Sequence, residues 1–518
     1  MEPERDAILM HRADNVVVAL GDLGAGHRLA ETGVVLREDV RRGHKIAIRA
    51  ISGGENVRRY GQSIGIARCA IGAGAHVHTH NLAPDPAPDP ALDLAPDPAP
   101  DPARARRPAG LAPAENPLQF NGFHRKDGRV GTRNHIGILT TVNCAGSVAR
   151  FIAEAAERSD WLGEMTHVDG VVPIVHHSGC AMAGDDAGYR ALFRTLTGYA
   201  RHPNFAAILM VGLGCEVMQI PDLIGAGRMR EDDTFRYLTI QQTGGTRRTV
   251  ERGLAILREL AEAANRARRA PAPLSRLTVG LQCGGSDSYS GITANPALGH
   301  ASDLLVRHGA TSILSETPEI YGAQHVLIRR AVSAEVGRKL AERIAWWEDH
   351  VARNGGEMNN NPSPGNKRGG LTTIVEKSLG AVAKAGRAPL RGVYRFGEPI
   401  TGSGLVFMDS PGYDPCSVTG QIASGATLIA FTTGRGSVSG FKPAPGIKLA
   451  TNTQMYERLR EDMDLNCGDI VTHGTSIEDK GREIFDLMIR IASGERSKSE
   501  ALGFGGAEFV PWQIGAVM

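Results

Sequence analysis

Residues 282–287 read Gln-Cys-Gly-Gly-Ser-Asp, which sets the thiol of Cys283, the hydroxyl of Ser286 and the carboxylate of Asp287 within five positions. Soft sulfur beside hard oxygen donors is a mix that could hold a metal ion, and the two glycines let backbone amides come close to a ligand. The hexapeptide follows the apolar run 277–281 directly. A buried parallel strand has this form where it leaves its sheet and opens a loop at the carboxyl end, the edge on which open α/β sheets bind ligands. Three more cysteines share that setting. Cys144 ends IGILTTVNC, Cys180 ends VVPIVHHSGC, and Cys215 ends ILMVGLGC with Glu216 next.

Candidates for holding an anion or moving a proton lie elsewhere. NPSPGNKRGG precedes the helical pattern TTIVEKSLGAVAKAG, so Asn366 and Lys367 stand where free helix amides and an ammonium could seat an anion. FTTGRGS supplies Arg435, suited to a forked contact with a carboxylate. SETPE places Glu316 and Glu319, and MDSPGYDP places Asp409 and Asp414, after other apolar runs. RRGHK puts His44 and Lys45 after a glycine turn, a base beside a cation, and HVHTHN puts His76, His78 and His80 on one face of an extended strand. Three imidazoles on one side can bind a metal or exchange protons. There is no GxxxxGK[ST], nor a GxGxxG followed by an acidic residue placed for a ribose, so a small carboxylate suits these loops better than a nucleotide.

The elements that must carry these residues fall into four parts. Residues 1–82 hold short β-type runs (DNVVVAL, GVVL, HKIAIRAI, AHVHTH) split by glycine turns, which predicts a small all-β domain. Residues 83–112 are rich in alternating Pro, Ala and Asp and predict an extended linker. Residues 113–272 alternate strand runs (136–142, 170–175, 206–211, 236–241) with amphipathic helices, an α/β unit. Residues 273–518 add seven apolar runs, at 277–281, 311–314, 392–395, 405–408, 427–431, 447–450 and 469–471, with a long amphipathic helix over 325–352. That count predicts a doubly wound, mostly parallel sheet.

Composition narrows the function classes. A chain of 518 residues with 42% hydrophobic residues can fill two to four cores. Net charge is +2 with acidic and basic residues interspersed, so neither nucleic acid nor a membrane surface is an expected partner. The amino terminus lacks the apolar core of a signal peptide and no run approaches a membrane span, so the cytoplasm is expected. Seven cysteines, an odd number without a CxxC pair, argue against a disulfide framework.

The wording of these motifs resembles the altronate dehydratase family, which includes galactarate dehydratase. The resemblance is carried by DGRVGTRNHIGILTTVNC, VGLGCE, GLQCGGSDSYSGITANPALG, SETPEIYGA, NPSPGNKRGGLTTIVEKSLGAVAK, DSPGYDP, FTTGRGS and IKLATNT followed by EDMDLNCG. Residues 1–82 resemble the β-clip (SAF) domain of these enzymes. The resemblance implies an amino-terminal β-clip, a linker, a dimerising α/β domain and a Rossmann-like catalytic domain. It implies a homodimer that removes water from a sugar acid to give a 2-keto-3-deoxy acid, using iron(II), with manganese(II) as the substitute. SETPE and PGYDP look like the altronate branch, so D-altronate is the expected substrate and galactarate the alternative.

Such a reaction removes the proton on C2 beside a charged carboxylate, which requires an electrophile to absorb the second negative charge. The metal is therefore expected among Cys144, Cys215, Glu216, Cys283 and Asp287, and the substrate among Ser286, Asn366, Lys367 and Arg435. His44, with Lys45, is the expected acid or base. Two alternatives stay open: an iron–sulfur hydro-lyase using three of Cys144, Cys180, Cys215 and Cys283, and a sugar-acid sensor without turnover.

Overall fold

The structure, a computed structural model, describes residues 5–85 and 111–515. Most of the Pro-rich segment expected to act as an extended linker therefore lies outside the described residues. The amino-terminal part is all-β: β1 (Ala7–Ile8), β2 (Val16–Ala19), β3 (Lys45–Ala47), β4 (Asn56–Arg59), β5 (Gln62–Ala67), β6 (His76–Val77) and β7 (Leu82–Ala83). They form two antiparallel sheets, ordered β1-β2-β3-β6 and β4-β5-β7.

The next unit opens with β8 (Gln119–His124) and β9 (Val130–Gly131). Its parallel sheet contains β10 (His135–Thr140), β11 (Val171–Ile174), β12 (Phe205–Gly212) and β13 (Phe235–Thr239), in the order β11-β10-β12-β13. The middle strand, HIGILT, is buried throughout, as a strand covered on both faces must be. β14 (Arg269–Pro273) then returns to pair with β8, so the chain enters and leaves this unit side by side.

The carboxyl-terminal unit is a seven-stranded, all-parallel sheet. Its strands are β15 (Thr278–Cys283), β16 (Thr311–Leu314), β17 (Leu390–Tyr394), β18 (Gly404–Met408), β19 (Leu428–Thr433), β20 (Gly446–Ala450) and β21 (Leu465–Asn466), ordered β17-β18-β16-β15-β19-β20-β21. Connections run to one side of β15 through β18 and to the other from β19, which makes the β15–β19 boundary a topological switch point.

Two expectations are corrected here. The segment 469–471 is helical (Asp469–Thr472), and the seventh strand is the shorter Leu465–Asn466; three residues are too few for periodicity to choose between helix and strand. The helix expected over 325–352 is broken into Gln324–Ile328 and Ala334–Arg353. Ser333 caps the second piece, its side chain accepting from Val336 N, while Ala331 bridges to Leu390 of β17.

The three units share their cores. Val57, Ile64 and Leu82 of the small domain belong to one apolar cluster with Leu281, Leu379 and Phe407. A second cluster joins Leu139 and Ile208 to Ile313, Val406 and Ile429, across the two α/β units. Helices Ala187–Ala200 and Asp414–Ala423 lie between those sheets and meet at Gly198, where an added Cβ would come within 2.3 Å of Ala423 O.

Candidate functional site

The loop leaving β15 and the loop leaving β19 meet at the switch point. Gly434 N and Arg435 N donate to Gly285 O at 3.2 and 2.9 Å, and Asn366 Nδ2 donates to Ser286 O at 2.8 Å. Gly284 passes close over two side chains, since a Cβ there would lie 2.0 Å from Asp414 Oδ2 and 2.5 Å from Phe431 Cζ. Three segments distant in sequence thus converge on residues 284–287.

Beneath this loop lies a buried ionisable centre. Cys283 Sγ is 3.3 Å from Glu319 Oε2 and 3.7 Å from Glu316 Oε2, and Lys384 Nζ is 2.7 Å from the sulfur and 3.3 Å from Glu316 Oε2. Lys377 Nζ donates to Glu319 Oε1 at 2.6 Å and to Asn361 Oδ1 at 2.8 Å. With its amide nitrogen toward Glu316, Gln282 donates to both carboxylate oxygens at 3.1 and 2.8 Å. Glu316 holds a left-handed backbone (φ 70°), a conformation that costs a non-glycine residue roughly 1–3 kcal/mol and persists where the surroundings demand it.

Burial pushes the Cys283 thiol and the Glu316 carboxyl well above their ordinary values, with Glu319 adding to both, and it carries Asp414 up to about 7. Burial works the same way on Glu319, but Lys377 and Lys384 outweigh it and keep that carboxylate ionised.

This centre fits a divalent metal. Among the described residues, Cys283, Glu316 and Glu319 alone bring three donor atoms of metal-binding type within 4.8 Å of one another, a thiolate and two carboxylates of the mix iron(II) accepts. Four acidic groups, Cys283, Glu316, Glu319 and Asp414, stand against the two lysines. If all were ionised the surplus would be two negative charges, the charge of one such ion. Burial holds Cys283 and Glu316 protonated and leaves Asp414 about half so near pH 7, and metal binding displaces protons from such groups.

The small domain roofs the adjoining surface with imidazoles. His44 Nδ1 is 2.9 Å from His76 Nε2, His44 Nε2 is 3.3 Å from Arg368 O, and His78 Nε2 is 3.0 Å from Lys367 O. The rings of His44 and His78 stack at 4.9 Å, and His80 lies 5.4 Å from His76. A carbonyl accepts only, so His44 carries its proton on Nε2, and its Nδ1 then accepts from His76 Nε2–H; the free lone pair of the chain is His76 Nδ1. Burial pulls His44 below its ordinary value, and burial with the neighbouring imidazoles takes His76 to about 3. The rings of His44, His76 and His78 are therefore neutral near pH 7.

The structure divides the residues singled out from sequence. Ser286, Asn366, Lys367, Arg435 and His44 gather around the 284–287 loop. Asn366 spends its amide on the Ser363 cap and Ser286 O, and so shapes the loop. Arg435 is exposed at its rim. The helix amides expected to seat an anion are filled from within: Ile374 N by Asn359 and Thr372 N by Glu376.

Lys45 is not poised for catalysis, because its three N–H donors are consumed by Gly370 O and the two Glu376 oxygens. The five expected metal ligands do not form one set. Cys144, Cys215 and Glu216 stand at the other sheet, where Glu216 is tied to Thr141 Oγ1, Leu213 N and Gly214 N. Asp287 accepts from Ser290, Thr451 and Asn452 and clamps the loop.

Lys377, Lys384 and Asn361 escaped the sequence reading. The one available signal was the spacing of the two lysines, seven apart and so on one face of the helical pattern TTIVEKSLGAVAKAG.

Comparison with known proteins covers all three units. Family models match residues 5–85 ("Altronate/galactarate dehydratase SAF domain"), 122–265 ("D-galactarate dehydratase/Altronate hydrolase, second domain") and 274–517 ("D-galactarate/Altronate dehydratase, C-terminal"). The altronate dehydratase of Bacillus subtilis (strain 168) is 35% identical over 96% of this chain and 97% of its own length. The galactarate dehydratase (L-threo-forming) of Escherichia coli (strain K12) is 37% identical over 94% and 93%. The altronate dehydratase of the same strain is 34% identical over 96% and 97%.

Proposed function

The chain belongs to the D-galactarate/altronate dehydratase family, and from that premise we propose that it is a hydro-lyase converting D-altronate into 2-dehydro-3-deoxy-D-gluconate and water. The observation that carries this reading is the buried Cys283–Glu316–Glu319 triad at the switch point, beside an imidazole roof. An iron(II) or manganese(II) ion held by those three residues would supply a Lewis acid for the substrate carboxylate and the charge that develops on it.

The chain's own residues account for the remaining demands. Ser286, Lys367 and Arg435 line the loop on which the carboxylate and hydroxyls would be held. Lys377 and Lys384 place fixed positive charge where the C2 carbanion character is delocalised onto the carboxylate, in a site too buried for water to screen it. A neutral imidazole of the His44–His76 pair takes the C2 proton. The C3 hydroxyl leaves with a proton as water, and the resulting enol becomes the 2-keto acid.

The choice of altronate rests on SETPE and PGYDP and on the two altronate dehydratases among the relatives. A homodimer through the second domain is part of the same reading, supported by the exposed Phe151 and Tyr237 there. No helix among the described residues is long and apolar enough to cross a membrane.

The test is to incubate reduced, iron(II)-loaded protein with D-altronate, galactarate and a panel of other aldonates and aldarates, and to assay 2-keto acid. Turnover of altronate above the rest is the expected result. Preference for galactarate would move the substrate within the family, and binding without turnover of any member would overturn the enzyme reading.

A further inference from the structure

The carboxyl edge of the second sheet carries side chains that the dehydration leaves unused. Adjacent parallel strands β11, β10 and β12 each open into a loop bearing one cysteine: Cys180, Cys144 and Cys215. All three thiols are free and exposed, whereas Cys283, Cys416 and Cys467 are buried. Cysteine otherwise packs as a small hydrophobe, and packing does not explain three exposed thiols at successive strand exits.

The loops are tied together. Asn143 N donates to Ser178 O at 2.9 Å, and Val217 N and Met218 N donate to Gly179 O at 3.1 and 3.2 Å. Each loop thus has a cysteine within two positions of one of these bonds. Strands about 4.8 Å apart confine their three exits to a patch roughly 10 Å across. The backbone turns left-handed on both sides of Cys180, at Gly179 (φ 102°) and Ala181 (φ 52°), and before Cys215 at Gly214 (φ 126°). Alanine rarely accepts that conformation, and residues held so cluster where a ligand dictates the geometry. Glu216 points inward to Thr141, and the exposed His177, its Nδ1 3.3 Å from Asn143 Oδ1, stands beside Cys144.

We propose that Cys144, Cys180 and Cys215 bind an iron–sulfur cluster of the [4Fe–4S] class. As a set the three sulfurs are not within 4.8 Å of one another. A single ion with metal–sulfur bonds of about 2.3 Å needs its donors within about 4 Å, whereas a polynuclear cluster spreads its thiolates farther apart. Three thiolates leave one iron for an oxygen or nitrogen ligand from outside the triad. Gln241 Nε2, 3.4 Å from Cys215 Sγ, supplies the kind of hydrogen bond to sulfur that tunes cluster potential. Assembly consumes ferrous and ferric iron and sulfide, and each thiol gives up its proton to become a ligand.

The test uses the full chain, handled without oxygen and reconstituted with ferrous and ferric iron, sulfide and a thiol reductant. The expected product shows broad visible charge-transfer absorption that air bleaches, with about four iron and four sulfide per chain. Cys144→Ser, Cys180→Ser and Cys215→Ser each lower sulfide content at least twofold, and the triple variant abolishes it. Cys69→Ser, which removes the exposed thiol of the small domain, leaves it unchanged. In the Cys69→Ser background, alkylation of the folded protein before reconstitution blocks the chromophore with Cys144, Cys180 and Cys215 all present. Iron uptake without sulfide, or a chromophore that survives in the triple variant, overturns the proposal.

Discussion

Lys45 of the small domain donates to both carboxylate oxygens of Glu376 in the carboxyl-terminal domain, at 2.9 and 3.0 Å, and Arg59 Nη1 reaches the same carboxylate at 2.6 Å. All three side chains are at most 1% exposed. Glu376→Gln would leave two buried cations sharing a neutral amide. The expected loss is about 3–5 kcal/mol, because an unpaired buried charge costs more than the pair contributes. Urea unfolding measures it, and a midpoint equal to that of the wild type would contradict this account of domain docking.

The same contact sets an acid limit. Burial alone would raise Glu376, but Lys45 and Arg59 hold it down at about 2, below its ordinary 4.5. A carboxyl group with a depressed folded-state pKa contributes fully above the unfolded value and loses that contribution as pH falls toward the folded one. Thermal midpoints should therefore drop between about pH 5 and about pH 2 in the wild type, and less steeply in Glu376→Gln. Parallel slopes in the two proteins would assign the acid sensitivity to other carboxylates.

At the buried centre, Cys283→Ser, Glu316→Gln and Glu319→Gln are each expected to weaken manganese(II) or iron(II) binding by at least about tenfold, as even outer-sphere changes at metal sites do. Competition with a metal-sensitive dye reads the affinity directly. Chelation should abolish turnover, and iron(II) should restore it. Undiminished affinity in all three variants would move the metal away from β15.

His44→Asn keeps an N–H able to reach Arg368 O while removing the ring nitrogen that accepts from His76 Nε2–H and so leaves His76 Nδ1 free as the base. Turnover is expected to fall about 10²–10⁴-fold, the usual contribution of a positioned acid or base, with KM little changed and the unfolding midpoint retained. Activity near that of the wild type would take His44 out of the mechanism.

The sequence showed most clearly those features that depend on a single strand and the loop after it. An apolar run ending in Gln-Cys-Gly-Gly-Ser-Asp marked β15 and its loop, because burial and exit are both local properties. Which sheet a strand joins is not local. Cys144, Cys215 and Cys283 share one signature, yet the first two belong to β10 and β12 and the third to β15. Lys377 and Lys384 were hidden for another reason: a lysine in an apolar helix ordinarily runs its stem along the surface to reach water, and here both ammonium groups end inside the protein on Glu319 and Glu316. The break near Ser333 was masked because amphipathic spacing resumes after it.

Because His44 adjoins Lys45, the imidazole roof cannot swing aside without exposing a locked ion triad. Opening would also strip Val57, Ile64 and Leu82 from the apolar cluster they share with Leu281, Leu379 and Phe407, so the docked form is the one expected to turn over. Sugar acid must then enter and keto acid depart along the rim near Arg435 with the roof in place, so traffic past that rim, and not a hinged lid, would govern how quickly the enzyme turns over.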